Sequence, residues 1–254
     1  VGSLEEMIAK GLFVGLRVGT LMIFAPFLGS KAIPARIKAG LTFAITALLY
    51  PVYAPRSIAL GGIAWWQVVC GEMVTGLAIG LTVQFVFDGV ELAGQLLGFQ
   101  LGYSLVNLID PQTQVDTPVL AIFHQVVALL IFLQLNVHHW MLRGLAKSFE
   151  YLPPGAASAT PAATEALLHA AGGMLLVGVQ IAAPALAATL LVDVALGFLG
   201  KASPQLPILF VGISVKNLVG FAFLAGALGF WPRIFDRYFL NALQTTERLL
   251  HLVR

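Results

Sequence analysis

Charge is what this sequence has least of. Asp, Glu, Lys and Arg make up 10% of its 254 residues, where a soluble domain carries about 25%. So few charges cannot cover a water-facing surface, which excludes an ordinary soluble globule and leaves lipid, or other apolar chains, as the solvent. Cysteine is nearly missing too. Cys70 stands alone, which excludes an internal disulfide and a cysteine metal cluster; its place in an apolar run makes it a small packing residue. The net charge is only +2, and no basic tract with interleaved aromatics marks a nucleic-acid partner. HExxH, GxSxG and phosphate-cradling glycine loops are absent as well. His138 and His139 are adjacent, so on a helix they diverge by about 100°. His124 lies far from both, and Ser104, Ser148, Ser203 and Ser214 have no base nearby in sequence. No metal or cofactor is expected, and the chain does not read as an enzyme.

What the sequence does have is hydrophobicity: 59% apolar residues and a mean hydropathy of +0.91. A spanning helix needs about 20 mainly apolar residues. Leu12–Leu28, Ala39–Tyr53, Ile63–Phe87, Val119–Leu142, Met174–Leu199 and Leu206–Phe230 qualify or nearly do. A seventh, less apolar helix is expected over Val83–Tyr103, continuous with the third run. The stretch 233–254 reads as an amphipathic tail helix, with Phe235, Phe239, Leu243, Leu249 and Leu250 among charges. Glu5 and Glu6 precede the first run where a secretory signal would be basic, so that run reads as a retained helix. The fold class is therefore all-α, an integral membrane-type protein of about six to eight apolar helices. Pro26 and Pro184 fall inside runs and are expected to kink them.

Orientation resists the charge rule. Lys31, Arg36 and Lys38 favour the first loop inside. Six spans then carry Arg233, Arg237, Arg248 and Arg254 outside, against the same rule.

Polar residues inside apolar runs need partners, because a charge at mid-membrane costs about 2.5–3.5 kcal/mol on insertion scales. If residues 166–232 form a hairpin turning at Lys201, Pro204 and Gln205, then Asp193 and Lys216 reach nearly the same depth. A buried ion pair across that hairpin is one reading; pairing of each with a neighbouring subunit is the other. Gln84, Asp88, Glu91, Gln95, Gly98 and Gly102 share one helical face. That stripe is either a lumen-facing wall or a polar seam packed on another helix. Gly11, Gly15 and Gly19, and again Gly76 and Gly80, recur at i, i+4, the spacing that lets helix backbones approach closely.

Several blocks in order resemble one family. Arg17-Val-Gly, Phe24-Ala-Pro-Phe-Leu-Gly and Ile33-Pro-Ala-Arg-Ile-Lys-Ala-Gly resemble the opening of FliR proteins. Gly98-Phe-Gln-Leu-Gly, then Asp110-Pro-Gln-Thr-Gln and Pro118-Val-Leu, resemble the family's central segment. Phe132-Leu-Gln-Leu-Asn-Val-His and Ser148-Phe-Glu-Tyr-Leu-Pro-Pro-Gly follow, with Val137 where glycine is usual. Ala195-Leu-Gly-Phe-Leu-Gly-Lys-Ala-Ser-Pro-Gln-Leu resembles the hairpin turn, with Lys201 where arginine is common.

The resemblance implies a structural subunit of the flagellar type III protein export gate. It implies a FliP-like helical part over 1–152, a linker over 153–165, a FliQ-like hairpin over 166–232 and the tail over 233–254. It implies FliP-like, FliQ-like and FlhB-like partners, unfolded export substrates, and a place in the bacterial inner membrane at the flagellar basal body. It also implies a plug loop near 106–117, carried by Asp110, Pro111, Gln112, Thr113, Gln114 and Asp116. A rival within the same architecture is an injectisome export-gate subunit, although the Asp110–Asp116 segment looks more flagellar. A rival of another class is a small secondary transporter, which two kinked helices and an acidic stripe would suit, but the two halves show no internal repeat.

Overall fold

The computed structural model describes residues 4–30, 33–53, 65–103, 119–153, 160–203, 205 and 208–252. Among these are eight α-helices and no strand. They are α1 (Leu4–Phe24), α2 (Ala35–Tyr53), α3 (Trp65–Gln100), α4 (Val119–Gln134), α5 (Val137–Tyr151), α6 (Pro161–Ala202), α7 (Ile208–Leu228) and α8 (Trp231–Leu252). The chain is an all-α protein of membrane type.

Helix ends follow local chemistry. Pro26 does not kink α1; the helix stops at Phe24, and Phe27 takes a left-handed backbone with φ 67°. The third run and the expected seventh helix are one helix, α3, which ends at Gly102 with φ 87°. There the Tyr103 amide donates to the Gly98 carbonyl, a left-handed C-terminal cap that glycine accepts without a Cβ penalty. The fourth run is interrupted between α4 and α5, where Asn136 sits at φ 55°. Asparagine is among the few non-glycine residues that tolerate this region. Helix α6 opens on Pro161 with Thr160 as its cap, whose Oγ1 accepts the Ala163 amide at 3.2 Å. It then runs through Pro184 without ending, so the last five residues expected as linker are already helical.

Four helices are long and apolar enough to cross a membrane, and the interrupted α4–α5 pair makes a fifth if taken as one span. Helix α2 is not among them: Arg36 and Lys38 open it, Pro51 lies inside it, and none of its residues is buried. The six crossings on which the orientation conflict rested therefore do not stand.

Contacts divide the chain into two compact units of discontinuous stretches. One comprises residues 1–86, 133–172 and 239–254; the other comprises 87–132 and 173–238. The core of the first unit joins Val18 and Leu21 of α1, Ile79 of α3, Phe149 of α5 and Leu249 of α8. Gly76 and Gly80 bring α3 onto α1, since a Cβ added at Gly80 would lie 2.9 Å from that of Phe24. The α1 series is looser: a Cβ at Gly15 would meet Thr46 of α2 at 3.6 Å, ordinary contact. In the second unit α3 meets α6 at Gly89 and Gly178, where a Cβ added to either would come within 3 Å of backbone oxygen on the other helix. Helix α7 in that unit is sparsely covered. Phe210, Val211, Leu218, Phe221 and Phe223 are exposed, and Leu224 is its buried large side chain. Cys70, expected to be packed, is exposed on α3.

Candidate functional site

An ionised group inside an apolar helix persists only with a counter-charge and with its hydrogen-bonding capacity used. The first unit meets this requirement most completely at Arg17. Its side chain and that of Glu72 are both 0% exposed, and Arg17 Nε donates to Glu72 Oε2 at 2.7 Å. Arg17 Nη1 donates to Ser148 Oγ and Nη2 to the Leu152 carbonyl, each at 3.0 Å. The guanidinium also lies 4.2 Å from the Phe149 ring centroid, a cation–π contact of the kind worth most when desolvated. The Ser148 hydroxyl in turn donates a hydrogen bond to the Leu145 carbonyl at 2.7 Å. One planar fork thus ties α1 to α3 and to the end of α5. Arginine suits this because five fixed donors serve several acceptors at once, which a lysine ammonium cannot match. In the same unit Thr82 and Thr246 share a 2.6 Å hydroxyl contact between α3 and α8.

The second unit holds its polar groups more openly. Lys216 Nζ lies 2.5 Å from Asp193 Oδ1, with side chains 20% and 38% exposed. The pair expected to be buried is therefore half-covered. Asp193 Oδ2 also accepts from Gln100 Nε2 of α3 at 2.9 Å, so one carboxylate links α3, α6 and α7. On the stripe, Glu91 accepts from Gln125 of α4 at 2.6 Å and from Gln95 at 3.1 Å. Gln84, Asp88 and Glu91 are half-buried and Gln95 is exposed. Gly102, the last residue of that series, serves as the cap of α3. His124 is buried, with Nδ1 2.7 Å from the Leu120 carbonyl and its ring 5.0 Å from that of Trp231.

The remaining expected residues divide by place. Lys201 lies in the last turn of α6 rather than beyond it, and Gln205 is in a turn. Pro204 lies outside the described residues, as does the whole segment 106–117 with Asp110, Pro111, Gln112, Thr113, Gln114 and Asp116. His138 and His139, expected to diverge, have ring centroids 4.1 Å apart. Among the described residues no group of three His, Cys, Asp or Glu side chains is placed to hold a metal ion.

Sequence reasoning missed the Arg17–Glu72 pair, the one ion pair among the described residues with both side chains 0% exposed. A signal existed. Arg17 is a lone cation in the first apolar run and Glu72 a lone anion in the third, so the cost that singled out Asp193 and Lys216 applied equally to them.

A family model described as bacterial export proteins, family 1, matches residues 8–242. The flagellar biosynthetic protein FliR of Escherichia coli (strain K12) is 34% identical over 214 residues, covering 84% of this chain and 82% of that protein. The FliR protein of Pectobacterium carotovorum is 31% identical, covering 92% and 90%. That of Bacillus subtilis (strain 168) is 28% identical over 257 residues, covering 100% of this chain and 99% of its own length.

Proposed function

This chain belongs to the FliR family of bacterial export proteins, and from that membership we propose that it is a structural subunit of the flagellar protein export apparatus. The match over residues 8–242 carries the proposal. The relatives described above are flagellar by name, which favours this reading over the injectisome. In the fuller form of the proposal, the chain assembles with FliP-like and FliQ-like subunits, and an FlhB-like one, into a gate in the inner membrane at the basal body. Residues 1–152 are then the FliP-like part and 166–232 the FliQ-like hairpin.

Two features support an assembled role. Helix α2 buries none of its residues while presenting Ile37, Phe43, Leu48 and Val52. Helix α7 presents the exposed apolar face described above. Lipid can cover the face of α7, but α2 is too polar at its start for lipid to be its only neighbour, so its apolar face favours a protein partner. The role is that of a conduit wall: unfolded substrates pass, and the work is done by positioning rather than by a reaction. The segment 106–117 is the proposed plug, because irregular backbone at membrane depth is tolerated where protein buries it or it lines a wet cavity.

The deciding experiment is native mass spectrometry after co-expression with FliP-like and FliQ-like chains from the same genome. One copy of this chain with several of each partner is expected. A stable monomer or homodimer that ignores them would remove the gate reading. For the plug, deleting 110–116 should let the assembled gate leak ions; a tight, export-dead gate would refute it.

A further inference from the structure

In the first unit, the outward face of α5 carries charge at a depth where lipid is a poor neighbour. Its inner face brings Leu145 and Phe149 into one cluster with Val14, Val18 and Leu21 of α1. At the end of α5, Ser148 and Leu152 accept from Arg17. Arg17 lies near the middle of Met7–Phe24, a stretch long and apolar enough to cross a membrane. The end of α5 is therefore close to that midpoint in depth. Yet Arg143, Lys147 and Glu150 are exposed. Leu145 lies about 160° around the helix from both Arg143 and Lys147, so the two cations point away from the core.

Lipid, protein and water are the neighbours available to such a face. Lipid fails on reach. Half of the hydrocarbon slab is about 15 Å, more than the four-carbon stem of Lys147 covers, and Glu150 is shorter still. Protein fails on pairing, because a buried charge needs its own counter-charge. Arg143 has the Trp140 ring at 5.6 Å, and Glu150 accepts the Tyr53 hydroxyl at 3.3 Å. Among the described residues, none of the three belongs to an ion pair. A partner covering them would have to bring two anions and a cation in register. Water solvates all three without such matching, and ionisable residues at membrane depth mark wet cavities and substrate paths.

We propose that this face of α5, with Arg143, Lys147 and Glu150, lines the water-filled passage of the export apparatus. The inference rests on the conduit reading above and says which surface of this chain is the wall. It also gives the wall a character. A passing unfolded chain meets solvated charge, with Trp140 and Tyr151 exposed beside it, rather than a continuous apolar surface that would hold its hydrophobic segments.

The test uses the full chain in the co-expressed complex described above, held in nanodiscs that leave both mouths of the passage open to solvent. Cys70→Ser removes the one native thiol, and Arg143→Cys, Lys147→Cys and Glu150→Cys are made singly in that background. Labelling by a membrane-impermeant methanethiosulfonate should approach the rate at a free thiol. Contact with lipid would disfavour the thiolate as it does any charge and slow labelling by roughly a hundredfold. A second sample carries an export substrate fused to a domain that stays folded, so that the substrate is held in the passage. Labelling should then be lost at all three sites. Any one substitution that fails to fold leaves the other two to decide. Slow labelling in a complex that mass spectrometry shows to be intact would overturn the proposal and leave the gate reading standing. Fast labelling that the held substrate does not change would overturn it too, since the face would be wet but outside the passage. If no complex forms, the conduit reading fails and this inference falls with it.

Discussion

In the unit built from residues 1–86, 133–172 and 239–254, the ion pair between Arg17 and Glu72 is closed on every side by protein. In the unit built from 87–132 and 173–238, the pair between Asp193 and Lys216 keeps 38% and 20% of its side-chain surface open. Both pairs join helices long and apolar enough to cross a membrane; Asp193 also accepts from Gln100, and the Arg17 guanidinium also donates to Ser148 and Leu152. What differs is who completes the desolvation. The first unit supplies every donor and acceptor from its own chain, so its geometry is set before anything binds. The second leaves an ion pair and an apolar α7 face partly covered, so its energetics depend on what comes to lie against them. The contrast is one of ion pairs and not of whole units, since α2 of the first unit also leaves Ile37, Phe43, Leu48 and Val52 exposed.

The comparison breaks first, and most sharply, at Arg17. Arg17→Met or Glu72→Leu leaves the other charge buried without its counter-charge, which costs about 3–5 kcal/mol. Thermal unfolding of the purified chain in detergent should show each single variant failing to hold its fold. The R17M/E72L double variant should recover most of the loss. Singles no worse than the double would show that the cluster is not closed.

Packing between α1 and α3 gives the next effect. Gly80→Ala places a Cβ 2.9 Å from Phe24 Cβ, and such overpacking costs about 1–3 kcal/mol. Gly15→Ala meets only Thr46 at 3.6 Å, so it should hold or gain up to about 1 kcal/mol through helix propensity. Melting temperatures for the two variants that move together would contradict the distinction drawn between these glycine faces.

The smallest effect belongs to the open pair. Asp193→Asn or Lys216→Met in the isolated chain should cost about 0.6–1.7 kcal/mol, the scale of interhelical polar contacts in membranes, and the D193K/K216D exchange should recover it. Repeating both pairs of variants on the assembled complex sharpens the contrast. The penalty at Asp193 should grow when a partner covers it, while that at Arg17 should stay unchanged. An Asp193 penalty that is the same in both states would mean the second unit is as complete as the first.

Much of this architecture is written in apolar runs, which is why six of the eight helices lie where Leu-, Val- and Ala-rich stretches predict them and the tail follows from Phe235 and Phe239, whereas α5 runs well past the end of the fourth run. The Asp193–Lys216 contact is legible because a short turn fixes the register of the two helices that carry it. Arg17 and Glu72 are 55 residues apart, with Ser148 and Leu152 farther still. No turn sets their register, and only the packed helices reveal that one guanidinium serves them all. The break at Asn136 was hidden for another reason. It lies among Gln134, His138 and His139 inside a stretch read as one span, and the left-handed backbone that ends α4 there has no signature in the sequence beyond the asparagine itself. Pro26 and Pro184 read alike in sequence, yet one ends a helix and the other is carried within it. The difference follows from what surrounds each, with Phe27 left-handed after the first and a long apolar helix on both sides of the second.

Helix α6 runs for 42 residues and α3 for 36, which at 1.5 Å per residue makes rods of about 63 and 54 Å. The hydrocarbon slab of a bilayer is about 30 Å thick, and even a tilt of about 40°, the steep end of what is observed, leaves α6 reaching through about 48 Å. Apolar side chains stand at the extremities as well: Leu168 is exposed in the opening turns of α6 and Phe99 at the close of α3. Lipid tails cannot wet both ends of such rods. The height of the apolar wall is therefore dictated by helix length rather than by membrane thickness. A helix of that contour length outlasts the bilayer it crosses, so part of its apolar surface calls for protein rather than lipid beside it.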